Sequence, residues 1–249
     1  MKSRHLPFLL LAASLGAAPA AAVEPDDLDL FLPSTLQDAF AGQPGEAEAQ
    51  LGLRYDRRRG KDELRIFPQY QISPADGLLL NLSLPYTVGS GERANEGEVG
   101  VGFFYNLNRE RGWLPAFAVA VEADTPVGPG DRGTQVQVTG IATRSIDAAA
   151  HRRLHVNASW SVRFAPSAEE RHQPYRLVAG YSQLLSPQTA LILDYVRERQ
   201  ERGEHDANVV ELAFRHRLAE RVTVGFGAGA GIGRASPRYR LLFSVEADF

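Results

Sequence analysis

Apolar and polar residues alternate along most of the chain after residue 45. Residues 78–86 and 154–163 show a period of two. The C-terminal segment shows it most clearly, because every second residue there is apolar: Tyr239, Leu241, Phe243, Val245, Ala247 and Phe249. Successive side chains of a β-strand point to opposite faces, so each such segment predicts a strand with one apolar and one polar side.

About twelve segments have this period, and the connections between them alternate in length. Connections such as 73–75 and 186–187 are short, whereas the opposite ones, such as 165–173, are mostly longer and richer in Gly, Pro and charge. The first connection, 57–60, is a short exception. Outer-membrane barrels typically have short periplasmic turns and longer outer loops. The predicted strands lie near residues 46–57, 61–72, 76–87, 96–106, 113–125, 133–146, 151–164, 174–183, 188–199, 206–217, 221–230 and 238–249.

Three features favour a membrane barrel over a secreted soluble β-protein, which would also alternate. The segments are roughly ten to thirteen residues long, which suits a tilted membrane strand. Phe249 ends the last strand, and a terminal aromatic residue there resembles the assembly signal of bacterial outer-membrane proteins. Tyr and Trp prefer the membrane interface, and such residues lie near segment ends on the apolar face: Tyr86, Tyr105, Trp113, Tyr175, Tyr181, Tyr195 and Tyr239.

We therefore predict an all-β fold, a transmembrane antiparallel β-barrel of about twelve strands in up-and-down meander order, over residues 46–249. After the N-terminal region no run of 18 apolar residues occurs, so a helical membrane protein is not expected. Backbone groups in hydrocarbon need internal partners, so the last strand must pair with the first.

The N-terminus predicts export through a cleaved signal peptide. Lys2 and Arg4 precede the apolar run 6–15, and Ala20–Ala22 offers a small-residue cleavage site. We assign residues 1–22 to the signal peptide and 23–45 to a periplasmic lead-in segment, either a short helix or irregular chain. The predicted location is the outer membrane of a Gram-negative bacterium.

Composition excludes several classes of function. The chain has no Cys, which rules out disulfides and thiolate chemistry. The formal net charge is −3, without a basic stripe for nucleic acid. The six His residues are scattered and lack metal-ligand spacing. We expect no metal and no other cofactor.

The polar face predicts a charged barrel interior. Acids gather on neighbouring strands and arginines on others, which would produce a transverse field favouring polar or zwitterionic solutes. Alternatively, these residues pair with one another and plug the barrel. The pore candidates are Arg54, Arg65, Glu98, Glu122, Asp124, Arg163, Arg176, Arg238 and Arg240. Deeper interior positions include Glu48, Gln69, Gln71, Asn81, Gln137, His155, Asn157, Asp194, Glu211 and Arg215.

Two further motifs have simple structural interpretations. The alternating glycines of 225–233 lie within a strand pattern, so we interpret them as small interior residues that relieve crowding rather than as a phosphate loop. His155, Asn157 and Ser159 resemble the trio of an outer-membrane phospholipase. Their steps of roughly 6–7 Å along one strand are too long for a nucleophile–base hydrogen bond.

Short motifs resemble a known family. Leu84-Pro85-Tyr86 is followed by the Gly-rich stretch 97–102 and by the sequence Thr-Pro-Val-Gly at 125–128. This order is similar to that of the outer-membrane family named after the meta pathway of phenol degradation. Glu98 stands where that family often has Asp, and Val127 where it often has Thr. The resemblance implies a porin-like transporter that takes up aromatic compounds. It does not identify particular residues that bind a ligand.

The leading hypothesis is a non-enzymatic channel or transporter that passes small molecules, including hydrophobic or aromatic ones. Alternatives are an outer-membrane lipid-modifying hydrolase and a structural or adhesin-like barrel acting through its loops. Expected partners are membrane lipids, the outer-membrane assembly machinery and the small-molecule solute. Arg197 and Arg199 could also contact lipopolysaccharide phosphates.

Overall fold

The protein is an antiparallel β-structure throughout. The computed structural model describes residue 28 and residues 33–90, 95–128, 132–168, 170–199 and 202–249, so the predicted signal peptide lies outside the described residues. The strands are β1 (Ala47–Arg57), β2 (Asp62–Ala75), β3 (Leu78–Ser83), β4 (Tyr86–Gly89), β5 (Glu96–Asn108), β6 (Ala116–Val127), β7 (Thr134–Ser145), β8 (Arg152–Phe164), β9 (Tyr175–Ser186), β10 (Thr189–Glu198), β11 (Ala207–Ala219), β12 (Val222–Ile232) and β13 (Tyr239–Asp248).

The sheet closes into a barrel of twelve spans, which confirms the predicted fold. Apart from β3 and β4, which do not pair with each other, consecutive strands pair, and β1 pairs with β13 from Glu48↔Asp248 to Arg57↔Tyr239. Strands β3 and β4 form one span, since both lie between β2 and β5. The interruption falls at Pro85, which has no backbone N–H to donate to a ladder.

The two ends of the barrel differ in their connections. At the end where Ala47 and Asp248 lie, strands are joined by tight turns such as Asp76–Gly77, in which Gly77 adopts a φ of 72° that favours glycine. We call this end the turn rim. The opposite end, the loop rim, has the longer connections between β8 and β9 and between β10 and β11.

The predicted side-chain parity is confirmed along the strands. On β11, Leu212 and Phe214 point outward and are 45% and 44% exposed, whereas their neighbours Glu211, Ala213 and Arg215 are fully buried inside. Large apolar side chains are likewise exposed on the outside of many other strands. A continuous apolar exterior of this kind would be unfavourable in water and matches contact with lipid. The described residues contain no helix that is long and apolar enough to cross a bilayer.

Two clusters of buried apolar residues lie inside the barrel, and each includes residues from before β1. Leu28 and Leu36 pack with residues of β9, β10 and β11. Ala39 and Phe40 pack with residues of β5, β6 and β7. Residues Pro33–Ala41, which we call the inner segment, therefore lie in the barrel interior, although the sequence had suggested a periplasmic lead-in.

The apolar exterior predicts a depth-dependent cost for charge. Leu212→Lys, in the middle of β11, should lower the free energy of unfolding in lipid by roughly 2–4 kcal/mol, because an exposed charge would enter the hydrocarbon. The matched control is Leu218→Lys, on the same face but at the turn rim, where the cost should be about 0–1 kcal/mol. Reversible unfolding in phospholipid vesicles measures both values, and equal costs would contradict lipid contact of this face.

Candidate functional site

The barrel interior has two parts. Toward the loop rim is a cavity of about 190 Å³, which we call the vestibule. Its wall includes charged side chains from most of the strands, among them Arg54, Arg65, Glu122 and Arg176. The inner segment occupies the interior below it, at mid-height and toward the turn rim. The candidate functional site is therefore a polar chamber with a peptide floor.

Paired hydrogen bonds hold the middle of the inner segment against β7 and β8. The Asn157 side chain accepts from Gln37 N at 2.8 Å and donates from Nδ2 to Gln37 O at 2.9 Å. Ala39 N donates to Thr143 Oγ1 at 2.9 Å. Because these backbone groups are buried, each would be costly without such a partner.

The earlier part of the inner segment docks on β11 and β12. Thr35 donates to Glu211 Oε2 from its backbone N at 3.1 Å and from its hydroxyl at 3.0 Å. Pro33 lies against the inward-facing glycines of β12. A Cβ on Gly225 would lie 2.7 Å from the Pro33 ring, and a Cβ on Gly227 would lie 2.6 Å from the Pro33 carbonyl oxygen. At Gly225 and Gly227 the relief of crowding that the sequence predicted is therefore observed, and the inner segment is among the neighbours that a side chain would meet, together with Ser244 of β13.

A fully buried arginine organises the charges between β13 and the neighbouring strands. Arg240 donates to Asp56 Oδ1 at 2.6 Å, to Glu198 Oε1 at 3.1 Å and to Glu211 Oε1 at 2.5 Å. Since Glu211 also accepts from Thr35, this cluster joins the barrel wall to the inner segment.

The predicted pore arginines lie beside carboxylates that sequence reasoning missed. Arg54 forms ion pairs with Asp56 at 2.7 Å and Glu198 at 3.3 Å, and Arg176 pairs with Glu198 at 3.4 Å. Asp56 shares the strand parity of Arg54, and Glu198 that of Asp194. Parity could therefore have identified both. Asp56 and Glu198 are acids that lie among the arginines, so acids and arginines are only partly separated around the barrel wall, in contrast to the prediction.

The remaining pore candidates divide between the vestibule and the rim. Arg65 pairs with Glu98 at 2.6 Å, and the Arg163 Nε donates to Gln135 at 3.0 Å. Glu122 and Asp124 line the vestibule from β6. Arg238, which was also predicted to line the pore, is instead exposed at the loop rim immediately before β13. A loop acid, Glu170, also approaches Arg163 at 3.9 Å, and no strand pattern could have indicated it.

The predicted interface aromatics lie mostly near the rims and several are exposed, whereas Tyr175 also lines the vestibule. Tyr105 and Trp113 lie toward the turn rim, and Tyr181 is farther from a strand end than the others. Toward the loop rim lie Tyr86, Tyr175, Tyr195 and Tyr239. Phe249 is exposed after β13, and its backbone N donates to Ala47 O at 2.9 Å. Their roles as membrane anchors and assembly signal stay predictions.

The trio that resembled a phospholipase site is engaged in other contacts. His155 hydrogen-bonds through its two ring nitrogens to Thr143 at 3.1 Å and Ser182 at 2.9 Å. Ser159 bonds to Thr139 at 2.9 Å. Asn157 holds the inner segment, as described above. The hydrogen bonds of the trio therefore serve packing and plugging, and the serine that bonds to His155 is Ser182 of β9 rather than Ser159 of the trio.

A charged cluster closes the connection between β10 and β11 at the loop rim. Tyr175 donates to Asp206 Oδ2 at 2.5 Å, and Arg197 and Arg199 approach its carboxylate at 2.9 and 3.3 Å. The Tyr175 hydrogen bond, followed by those of the arginines, lowers the pKa of Asp206 from 3.8 to about 2. The two arginines proposed for lipopolysaccharide are thus paired with Asp206.

Comparisons with known proteins place the fold among outer-membrane channels. No protein-family model matches the chain, and no curated protein matches it in sequence. The COG4313 outer membrane channel from Pseudomonas putida F1 is similar with a TM-score of 0.64 and 11% identity, over 85% of this chain and 98% of that one. The KdgM porin (TM-score 0.56, 8% identity, 80% and 99% covered) and the NanC porin (TM-score 0.54, 8% identity, 80% and 98% covered) are also similar. At these identities the likeness shows the fold alone.

The Asn157 bonds predict how the inner segment can be loosened. Asn157→Ala leaves the buried backbone N and O of Gln37 without partners, at a cost of about 1–3 kcal/mol. Since the chain has no Cys, Ser34→Cys supplies a unique buried thiol as a reporter. We expect maleimide to label this thiol at least about fivefold faster in the Asn157→Ala background. Ser159→Ala, on the same face of β8, is the control, and equal labelling in both backgrounds would contradict the anchoring role.

The lowered pKa of Asp206 predicts an acid-sensitive loop. Because the pKa of Asp206 is lower in the folded loop, ionised Asp206 stabilises the loop fully at pH values above its pKa in the unfolded chain. That stabilisation is lost as the pH falls toward about 2. We expect pepsin to cleave the connection between β10 and β11 faster in Asp206→Asn than in wild type at pH 4. The two rates should converge near pH 2, and a ratio that does not change with pH would contradict this assignment.

Proposed function

We propose that this protein is a channel for small solutes in the outer membrane of a Gram-negative bacterium, with the loop rim outside and the turn rim in the periplasm. The observation that supports the proposal best is a closed barrel with an apolar exterior and a charged, water-accessible vestibule. Outer-membrane channels have this combination of an apolar outer band and a polar lumen. The similar solved structures are named as channels and porins.

Passage through the barrel requires a path past the inner segment. Its residues are among the most buried in the described chain, with Leu36 and Ala39 fully buried and Ser34 1% exposed. The contacts that hold the segment are hydrogen bonds and apolar packing with the wall, without a covalent link. We therefore propose that solutes pass when the inner segment shifts within the lumen or leaves it.

The lining favours polar solutes over apolar ones in the vestibule. Arginine and carboxylate side chains dominate its wall, and a solute has to compete with their mutual ion pairs. Aromatic solutes, which the family resemblance implies, are a second candidate. Phe67 faces the vestibule and stacks on the Arg65 guanidinium at 4.6 Å, so one wall offers an aromatic surface.

Other partners follow from the membrane location. Membrane lipids would cover the apolar exterior, and the outer-membrane assembly machinery would recognise the last strand ending at Phe249. Contact of Arg197 and Arg199 with lipopolysaccharide would require phosphate to compete with Asp206 for the guanidinium groups.

The channel proposal is tested by conductance with a lockable inner segment. Ala39→Cys and Thr143→Cys place two thiols where a backbone N and a side-chain oxygen are 2.9 Å apart. We expect the reduced double variant to conduct ions in planar bilayers and to admit small sugars or amino acids into liposomes. Oxidation should lower the conductance by roughly tenfold or more, because the cross-link holds the segment in the lumen.

The single variant Ala39→Cys, treated with the same oxidant, is the control and should conduct equally in both states. Equal conductance of the locked and unlocked double variant would show that solutes pass beside a stationary segment. A folded protein that neither conducts nor admits solutes in either state would contradict the channel itself. Phenol and a charged amino acid, compared at equal concentration in the liposome assay, distinguish the aromatic from the polar candidate.

A further inference from the structure

One part of the vestibule wall is a recess surrounded by oxygen acceptors. It spans the neighbouring strands β3, β5 and β6, where the strand register aligns a polar residue, a glycine and an acid on each of two successive inward-facing rungs. We call this feature the acceptor recess. From β3 through β5 to β6, its rungs are Asn81–Gly102–Glu122 and Ser83–Gly100–Asp124.

The two glycines create the space into which the oxygens point. A Cβ on Gly100 would lie 2.2 Å from Ser83 Oγ and 2.5 Å from Asp124 Oδ1. A Cβ on Gly102 would lie 2.4 Å from Asn81 Oδ1. Any larger residue would fill this space, so the side chains from the flanking strands lean over β5 only because glycine lies there.

Several of these acceptors are buried without a partner. Asn81 and Ser83 are 8% and 5% exposed, and neither Asn81 Oδ1 nor Ser83 Oγ has a hydrogen-bond partner among the described residues. Glu122, which faces Gly102 from β6, is likewise buried, at 8% exposure. Buried polar groups are normally satisfied, so two unpartnered oxygens beside buried Glu122 indicate a missing donor.

The nearby arginines also pair with carboxylates outside the recess. Arg65 and Arg176 are close enough to attract Glu122, but each is paired with another carboxylate. Arg65 donates to Glu98 at 2.6 Å and Arg176 to Glu198 at 3.4 Å. The recess therefore places two carboxyl groups, those of Glu122 and Asp124, on one side of the vestibule, next to arginines that also pair with Glu98 and Glu198.

We propose that the acceptor recess binds the ammonium group of an amine-bearing solute that enters from the loop rim. An ammonium group has three N–H donors and no acceptor, which complements a carboxylate, an amide oxygen and a hydroxyl oxygen. Its positive charge is stabilised by Glu122 and Asp124 in a partly desolvated wall. The solute is small, because the vestibule holds about 190 Å³, below the range typical of drug-sized ligands. This assignment rests on the proposed channel, for which it names a solute class.

Binding is tested on the detergent-solubilised full chain by isothermal titration calorimetry. The probes are propylammonium, 1-propanol and propionate, which have similar size and different charge. We expect propylammonium alone to bind, and Glu122→Gln, which keeps the side-chain shape, to weaken its binding at least tenfold. Glu63→Gln is the matched control, because Glu63 lines the vestibule from β2 but lies outside the recess. This variant should bind propylammonium as tightly as the wild type does.

Ser83→Ala provides a second variant, which should weaken propylammonium binding by about two- to fivefold through loss of one acceptor. Heat-modified mobility on gels verifies that each variant is folded. Equal binding of propionate or 1-propanol, unchanged binding in Glu122→Gln, or complete displacement of the amine by equimolar Ca²⁺ would overturn the ammonium assignment. Conductance without amine binding would support the channel proposal and contradict amine binding in the recess. Amine binding without conductance would support the recess as an amine site and contradict the channel proposal.

Discussion

The pairing of β1 with β13 is the constraint on which the rest of the structure depends. Ten residue pairs, from Glu48↔Asp248 to Arg57↔Tyr239, close the sheet, so that every strand in the described part of the chain has a partner on both sides. A sheet surrounded by lipid requires such closure, because hydrocarbon offers no partner for backbone N–H and C=O groups. Closure also divides the side chains of every strand into an outer set and an inner set, and each set meets a different solvent.

Charge placed in the enclosed interior must find partners, and this explains the ion-pair network. Arg240 is fully buried, and its guanidinium is satisfied by Asp56, Glu198 and Glu211 from three other strands. Removing one member of such a buried group would leave an uncompensated charge, which is strongly destabilising. The network therefore ties distant strands of the barrel together, and its member Glu211 also binds the inner segment through Thr35.

The inner segment and the acceptor recess give the two halves of the interior different properties. The lower half is filled by chain that contacts β12, β11, β8 and β7 in succession, through Pro33, Thr35, Gln37 and Ala39. The upper half stays open as the vestibule, where glycines on β5 make room for the side chains of Asn81, Ser83 and Asp124. Inward-facing glycine thus makes room for the inner segment on β12 and for side chains of the flanking strands on β5.

The sequence by itself determined the strand spans, their connectivity and which residues face outward, because alternation with a period of two is a local property of an extended chain. It also placed Arg54, Arg65 and Glu122 inside the barrel. Only the tertiary structure decided which charges meet, since Arg240 and Asp56 are 184 residues apart in the chain. It likewise decided that Pro33–Ala41 lies in the lumen, because that segment has no periodic pattern and its partners come from strands far along the chain. Local pattern specifies the face of a residue, whereas contacts across the lumen depend on how the closed barrel brings distant strands together.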